Sequence, residues 1–508
     1  MDSPGSLPPS PYEAFPYPGL SHAWTHPARL FAAASFLGLH PPRMEGARVL
    51  EIGCGDGTNL FAMAEALPTT EFVGIDYTVR HIETGHAMAA ATGITNVRLE
   101  QADVREFGAG EGPFDYIIAH GVYSWVPPDA RAAVLRVCRE LLAPHGVAYI
   151  SYNTLPGWQP VHAMRSLAML HTRGIEDPAE RVRQARALMG FLSAHVPDER
   201  RLYTQTIRMF AEELDKRGAA AVLSDELNEV SDPYYFLDFL AEVEAGGLAY
   251  LHDARFSDVM QARFDAGAMD ELQKLARDAA HAEQISDFLF NRSFRRSLLC
   301  HEGDDDERHM ALTADALDGC FIHGDFHPEP DGAPGRMRSS TGQVLTPALP
   351  IGAAALAILG ERFPAAVPFE ALVDAARSRA GTEDPAADAD AVAATIILAY
   401  SIRTEMVTVW PSDPKNATTA DEFPRVSAFN RYHASRGERI LTGAFHESYE
   451  LDPFAFTLVP ALDGSRNHEA LRGYMASQYP QMFPATIAHE LDTALETLLR
   501  TNLLIQPN

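Results

Sequence analysis

The sequence predicts an α/β domain built on a parallel sheet and followed by mostly α-helical domains. Three observations carry that expectation. Short apolar runs between residues 48 and 152 alternate with helical patterns. A glycine-rich turn closes the first of those runs, and beyond about residue 160 the strand rhythm gives way to amphipathic helical spacing. Strands joined through helices pair in parallel with right-handed crossovers, and such sheets take ligands at the carboxyl ends of their strands.

Residues 1–27 read as an N-terminal segment or lid. The first dozen are Pro- and Ser-rich and expected to be disordered, whereas Tyr12 to Pro27 is aromatic and should lie against the protein. Residues 28–165 form the expected sheet domain. Ala28 to Leu39 reads as a short helix, Val49 to Ile52 as the first strand, Asn59 to Leu67 as a helix and Phe72 to Asp76 as the second strand. His81 to Thr92 is the next helix, Val97 to Glu100 the third strand and Tyr116 to Ala119 the fourth. Asp129 to Leu142 is a further helix and Gly146 to Tyr152 the fifth strand. Residues 166–322 read as a helical middle region, 323–347 as a linker or exposed loop, and 348–508 as a mostly helical C-terminal domain with short β structure near Met406 to Trp410.

Composition narrows the functional classes. Of 508 residues, 46% are hydrophobic and 22% charged, enough to bury several cores. Lys and Arg number 41 against 69 Asp and Glu, a formal charge of −28, which argues against a large nucleic-acid footprint. The same field would favour a cationic partner, although acidity is also a common route to solubility. Four cysteines, none in a CxxC pair, give neither a disulfide framework nor a structural zinc. The opening residues lack the basic and apolar regions of a secretory signal, and the nearest approach to a membrane span is the short run from Ile351 to Leu359. A cytoplasmic protein with no membrane insertion is expected. His301, Asp304 to Glu307 and His309 read as an exposed acidic turn, and His446-Glu447 does not continue into a zinc-protease motif, so no metal is expected.

The chemistry concentrates in Glu51-Ile52-Gly53-Cys54-Gly55-Asp56-Gly57-Thr58. Glycines at alternate positions let the backbone pass close beneath a ligand. A dinucleotide fingerprint needs GxGxxG, but here the third glycine comes one residue early. A GxGxG turn preceded by an acid suits a ligand without a pyrophosphate and with a positively charged head. Asp76 ends the second strand, where a carboxylate can accept both hydroxyls of a ribose. Asp103 follows the third strand, placed to accept from the exocyclic amine of adenine.

This arrangement resembles the class I S-adenosylmethionine-dependent methyltransferases. The resemblance implies a Rossmann-like seven-stranded sheet with S-adenosylmethionine in its mouth. Its cofactor contacts would come from Glu51, Gly53, Cys54, Gly55 and Gly57, from Asp76 with Tyr77, and from Asp103 with Val104. Two stretches, Ala119-His120-Gly121-Val122-Tyr123-Ser124-Trp125-Val126-Pro127 and Ser151-Tyr152-Asn153-Thr154-Leu155-Pro156-Gly157-Trp158, stand at strand ends where a substrate should arrive. With Thr25-His26-Pro27, Tyr234 to Leu251, Asp287 to Arg295 and Leu462 to Arg466, they are similar to bacterial methyltransferases that carry a regulatory domain. The rickettsial protein-lysine methyltransferases belong there. The resemblance implies a protein or peptide substrate and a homodimer.

Methyl transfer to an amine needs alignment, dryness and an uncharged nucleophile rather than a metal. Tyr123, Tyr152 and Asn153 are the candidates to hold an acceptor amine. Ser124 joins them at the substrate side, with Trp125 and Trp158 as apolar walls; packing beneath a loop is the competing reading for the aromatics. His120 reads as a cofactor contact or a base. His26 reads either as closing over the cofactor's carboxylate or as the residue that starts a helix. The leading expectation is N-methylation of protein lysine. Its rivals are a natural-product or modified-peptide methyltransferase and an inactive cofactor-binding regulatory protein.

Overall fold

In the computed structural model the five expected strands lie side by side, and the described residues are 17, 19–108, 110–259, 266–304, 309–330, 332, 334–402 and 406–506. The first dozen residues and part of the acidic turn after Asp304 lie outside them. The strands are β1 (Arg48–Ile52), β2 (Glu71–Asp76), β3 (Val97–Gln101), β4 (Phe114–Ala119) and β5 (Leu142–Asn153), paired in parallel. Helices α1 (Pro27–Phe36), α2 (Thr58–Ala64), α3 (Val79–Thr92) and α4 (Pro128–Leu141) precede or connect them.

Two strands that sequence periodicity missed complete the sheet. β6 (Leu248–Asp253) and β7 (Phe294–His301) come from the region expected to be helical and give the order β3-β2-β1-β4-β5-β7-β6, with β7 antiparallel to both neighbours. Their alternation is hidden because β7 buries Arg295 completely. Its guanidinium meets Asp287 at 2.8 Å and Glu283 at 2.8 Å and lies 3.9 Å over the Phe236 ring. A charge satisfied so fully can occupy a core position that a hydrophobic pattern never marks.

Strand order reverses between β1 and β4, which opens a crevice at their carboxyl ends. The period of two along each strand sorts side chains between two cores. Val49, Tyr116, Ile118, Val147 and Tyr149 face one of them, with α1 and the later helices. Leu50, Ile52, Ala119, Ile150 and Tyr152 face the other, with α4 and Phe236–Ala245.

The stretch expected as a linker also carries structure. Phe326–Pro328, Met337–Ser339 and Val344–Leu345 form a three-stranded antiparallel sheet, too short and too rich in turn residues to register as strands in sequence. The β structure expected near Met406 is the strand Thr408–Trp410, paired with Phe321–His323. A longer apolar segment than the Ile351 to Leu359 run is the 18-residue helix Pro385–Ile402, long and apolar enough by composition to cross a bilayer. Half of it is buried within the protein, where Val392, Ile396, Ile397 and Tyr400 pack into the first core. The C-terminal region holds its own core around Leu441, Leu458, Leu491 and Leu498, with a hairpin formed by Ile440–Thr442 and Ser448–Glu450.

Candidate cofactor and acceptor site

The turn after β1 is a run of left-handed glycines, with φ of 70° at Gly53, 56° at Gly55 and 77° at Gly57. A side chain at Gly53 would meet Val122 at 2.5 Å, so this position must stay bare for the loop after β4 to approach. At Gly55 a Cβ would meet nothing within 4 Å: the backbone there borders open space. The Gly53 and Cys54 N–H groups donate to the Ile75 carbonyl, pinning the turn to the end of β2. Cys54 itself is buried, with its thiol pushed well above the usual range by burial and then by the nearby Asp76, Glu51 and Asp56.

Three carboxylates stand around this space, each held differently. Glu51 is 4% exposed; its Oε1 accepts from Asn59 Nδ2 at 2.9 Å, and its Oε2 is buried without a hydrogen-bond partner among the described residues. Burial, reinforced by Asp56 and Asp76, raises its carboxyl to about 8, against the lowering effect of the Asn59 bond. Asp76 accepts from the Gly55 N–H at 2.9 Å on one oxygen and from the Thr78 N–H at 2.8 Å on the other, so it stitches the glycine turn to the start of α3. Asp103 is clasped by Arg105: the backbone N–H and Nε reach Oδ1 at 2.9 and 3.0 Å, while Nε and the guanidinium terminus reach Oδ2. This hydrogen bonding pulls its carboxyl below the ordinary aspartate value. An amine donor at Asp103 therefore needs Arg105, whose side chain is 42% exposed, to swing aside. Tyr77 is half-buried close to Asp103 and Arg105, and the Val104 carbonyl accepts from Arg136 at 3.0 Å.

The residues expected for the acceptor do not gather on one side. Tyr152 and Asn153 are consecutive on β5, and strand alternation sends them to opposite faces. Tyr152 stacks on Phe239 at 4.1 Å, inside the second core. Tyr123 is wholly buried in the same core, between Tyr234 and Phe239, with its hydroxyl donating to Glu242 at 2.5 Å. Both phenols are thus turned from the crevice, contrary to expectation; the runs that hold them are apolar because they pack. Ser124 is also buried, its hydroxyl accepting from the Asn153 N–H at 2.9 Å to tie the loop after β4 to the tip of β5.

Asn153 lies on the face of Tyr149 and Ser151, and its amide nitrogen is buried without a hydrogen-bond partner among the described residues. Trp125 and Trp158 meet edge to face at 6.2 Å, both partly exposed. His120 is held by Tyr149 Oη at 2.9 Å, with the His22 ring at 3.9 Å; burial and the neighbouring His22 and Arg296 keep it neutral. On the β7 side of His120, beyond Phe294, a cavity of about 280 Å³ is lined by Arg255, Asp258, Arg292 and Arg296.

His26 does not reach the crevice. It caps α1, its Nδ1 accepting from the Ala28 N–H at 3.1 Å, and its ring lies 4.5 Å from Trp410; burial lowers its pKa to about 3. Sequence reasoning missed Asn59 and His22. Asn59 sits two residues beyond the last glycine, in the first turn of α2, and His22 in the segment read as a lid, and neither belongs to a motif whose chemistry stands alone. His446, dismissed with the zinc-protease pattern, donates to Asn59 at 2.8 Å.

The crevice fits a sulfonium nucleoside. An unpartnered buried carboxylate oxygen stands ready for an ammonium, bare backbone lies beneath, and acids follow at the next two strand ends. Comparison with known proteins agrees. Family models match a methyltransferase domain over residues 44–204, a predicted methyltransferase regulatory domain over 219–301 and the PKMT C-terminal winged helix domain over 422–503. The uncharacterized protein RP789 of Rickettsia prowazekii is 33% identical over 292 residues, which are 58% of this chain and 53% of that protein. RP028 of the same organism is 34% identical over 233 residues, 46% of this chain and 93% of that protein. The match thus spans about half the length of the first relative and nearly all of the second. The structure of PKMT2 from Rickettsia typhi in complex with AdoHcy has a TM-score of 0.81 and 25% identity, covering 97% of this chain and all of that one.

Proposed function

This chain belongs to the class I S-adenosylmethionine-dependent methyltransferases with a methyltransferase regulatory domain, and from that premise we propose that it methylates lysine side chains of a protein substrate. The observation that carries the reading is the likeness to PKMT2, which runs through nearly the whole chain, C-terminal domain included.

S-adenosylmethionine, when bound, supplies an electrophilic methyl group on a sulfonium. The chain's part is to grip, orient and dry the reactants. Glu51 takes the ammonium of the cofactor's amino-acid end on its spare oxygen, Asp76 takes the ribose hydroxyls, and Tyr77, Asp103 and Val104 border the base. His120, neutral and fixed by Tyr149, borders the reacting end without serving as a proton donor. Asn153 offers its side-chain carbonyl oxygen to an N–H of the acceptor amine, and the edge-to-face pair Trp125 and Trp158 supplies an apolar wall. An acceptor lysine starts from a pKa of about 10.4, and an apolar entrance beside a sulfonium favours loss of its proton.

We also propose a homodimer through the helices Gln159–His171, Pro178–His195 and Arg201–Lys216, which expose Leu170, Phe191, Leu202 and Met209. Light scattering checks it, and a monomer at micromolar concentration removes it. The activity is tested by incubating the full chain with methyl-labelled S-adenosylmethionine and cell proteins, followed by mass spectrometry. Label on ε-amino groups of lysine supports the reading. Label confined to small metabolites, or to carboxyl or hydroxyl groups, overturns it.

A further inference from the structure

Three segments remote in sequence converge on the side chain of Asn59. The His22 backbone N–H donates to its Oδ1 at 2.9 Å, and a backbone N–H can only donate, so this atom is the amide oxygen. His446 Nε2, 2.8 Å from the same oxygen, must therefore carry the proton and donate it. That leaves the Asn59 NH2 group to donate to Glu51 Oε1 at 2.9 Å and to Thr25 Oγ1 at 2.9 Å. Rotating the amide by half a turn would set its NH2 group against the His22 N–H, donor against donor, and its oxygen against Glu51.

His446 is placed for this task by the C-terminal domain. It stands at the tip of the hairpin Ile440–Thr442/Ser448–Glu450 with φ of +62°. Its neighbours fasten the tip: Glu447 pairs with Arg29 at 3.0 Å, and Phe445 is buried against Trp410 and His323. At the base of the same domain, Glu65 accepts the Ala428 and Phe429 N–H groups at 2.8 and 3.1 Å, seating the helix Ala428–Ser435 on the sheet domain.

We infer that His446 is a positioning residue of the cofactor site: by donating to Asn59 it keeps an amide N–H aimed at Glu51, so that the C-terminal domain supplies part of the methyltransferase centre. The inference rests on the reading of Glu51 as the partner of the cofactor's ammonium.

Calorimetry with AdoHcy and steady-state kinetics on the full chain test it. His446→Phe keeps a ring of similar size and removes the donor. It should weaken AdoHcy binding and raise KM for S-adenosylmethionine about tenfold, with kcat held within about twofold, as the loss of one buried hydrogen bond implies. His446→Gln, which can present an amide N–H to Asn59, should recover most of the affinity. Glu447→Gln loosens the same hairpin without touching Asn59 and should leave affinity within about twofold of the parent. Unchanged binding in His446→Phe overturns the inference, as does an equal loss in all three variants, which would make the hairpin's seating the whole effect. Failure of the parent chain to bind AdoHcy removes the reading of Glu51 as well. Loss in Glu51→Gln with full affinity in His446→Phe removes only the role of His446.

Discussion

The tips of β1 and β2 and the tips of β4 and β5 border the same crevice but are finished in opposite ways. At β1 and β2 the side chains are polar and held in place: Glu51 is bonded by Asn59 on one oxygen and unpartnered among the described residues on the other, while Asp76 accepts from the Gly55 and Thr78 N–H groups with His81 Nδ1 at 3.3 Å. At β4 and β5 the expected residues are mostly packed: two phenols are sealed in a core, Ser124 bonds the neighbouring strand, and Tyr152 Oη, Asn153 Nδ2 and Trp158 Nε1 are buried without a hydrogen-bond partner among the described residues. A cofactor that never varies can be met by a prebuilt cradle. The acceptor proposed above, carried on a protein, would meet few fixed groups and be left to shape and dryness.

The contrast can be broken most severely at Asp76. Asp76→Ala should weaken AdoHcy binding more than about a hundredfold in calorimetry, because two charge-assisted bonds to sugar hydroxyls are lost. It should also lower stability by about 1–2 kcal/mol in thermal or urea melts, since the Gly55 and Thr78 N–H groups lose their acceptor. Near-parental affinity would dismantle the cradle half of the comparison.

Glu51 gives a pH signature. Its folded carboxyl titrates at about 8, above the roughly 4.3 of an unfolded chain. Between those values the native state holds a proton that the unfolded state has released, so ligand-free stability declines as pH rises through the window. An ammonium ligand prefers the ionised carboxylate. AdoHcy affinity should therefore climb toward pH 8 by up to about tenfold per unit and then level. Glu51→Gln should bind weakly and with a flat profile, and should hold its ligand-free stability across the same range.

Tyr123 sharpens the other half. Tyr123→Phe removes one donor from Glu242, which is exposed and keeps Tyr234 Oη at 3.3 Å, and should cost about 0.5–1.5 kcal/mol in a urea melt, while kcat and AdoHcy affinity stay within about twofold. A tenfold fall in kcat at unchanged stability would return the phenol to the acceptor side. The smallest effect is expected at Arg105. Releasing Asp103 with Arg105→Ala should tighten AdoHcy binding by about two- to threefold, whereas weaker binding would show that the guanidinium itself serves the base.

Much of this was legible in the sequence where local geometry and chemistry coincide. An acid, three alternate glycines and an acid at the next strand tip leave few folds able to use them, and Glu51, Gly55 and Asp76 stand together as that spacing requires. Legibility ended where partners come from afar. β6 and β7 were hidden because Arg295 is neutralised by Asp287 and Glu283, so its charge breaks the alternation that marks a strand. Tyr123 and Tyr152 were overread because an aromatic near a strand tip looks the same in sequence whether it faces the ligand or the core; a single step along the pleat decides. His26 and His446 carry the converse lesson. The one beside a familiar Thr-His-Pro run only caps a helix, and the one without a motif reaches the site.

The bond between Asn59 and His446 joins residues 387 positions apart. At a synthesis rate of about 5–20 residues per second, that interval is roughly 20–80 s on the ribosome. The nascent sheet domain must wait that long for one of the two N–H groups that hold the Asn59 amide oxygen. On the proposed role of His446, the cofactor site is completed only once the hairpin Ile440–Thr442/Ser448–Glu450 has emerged and folded back.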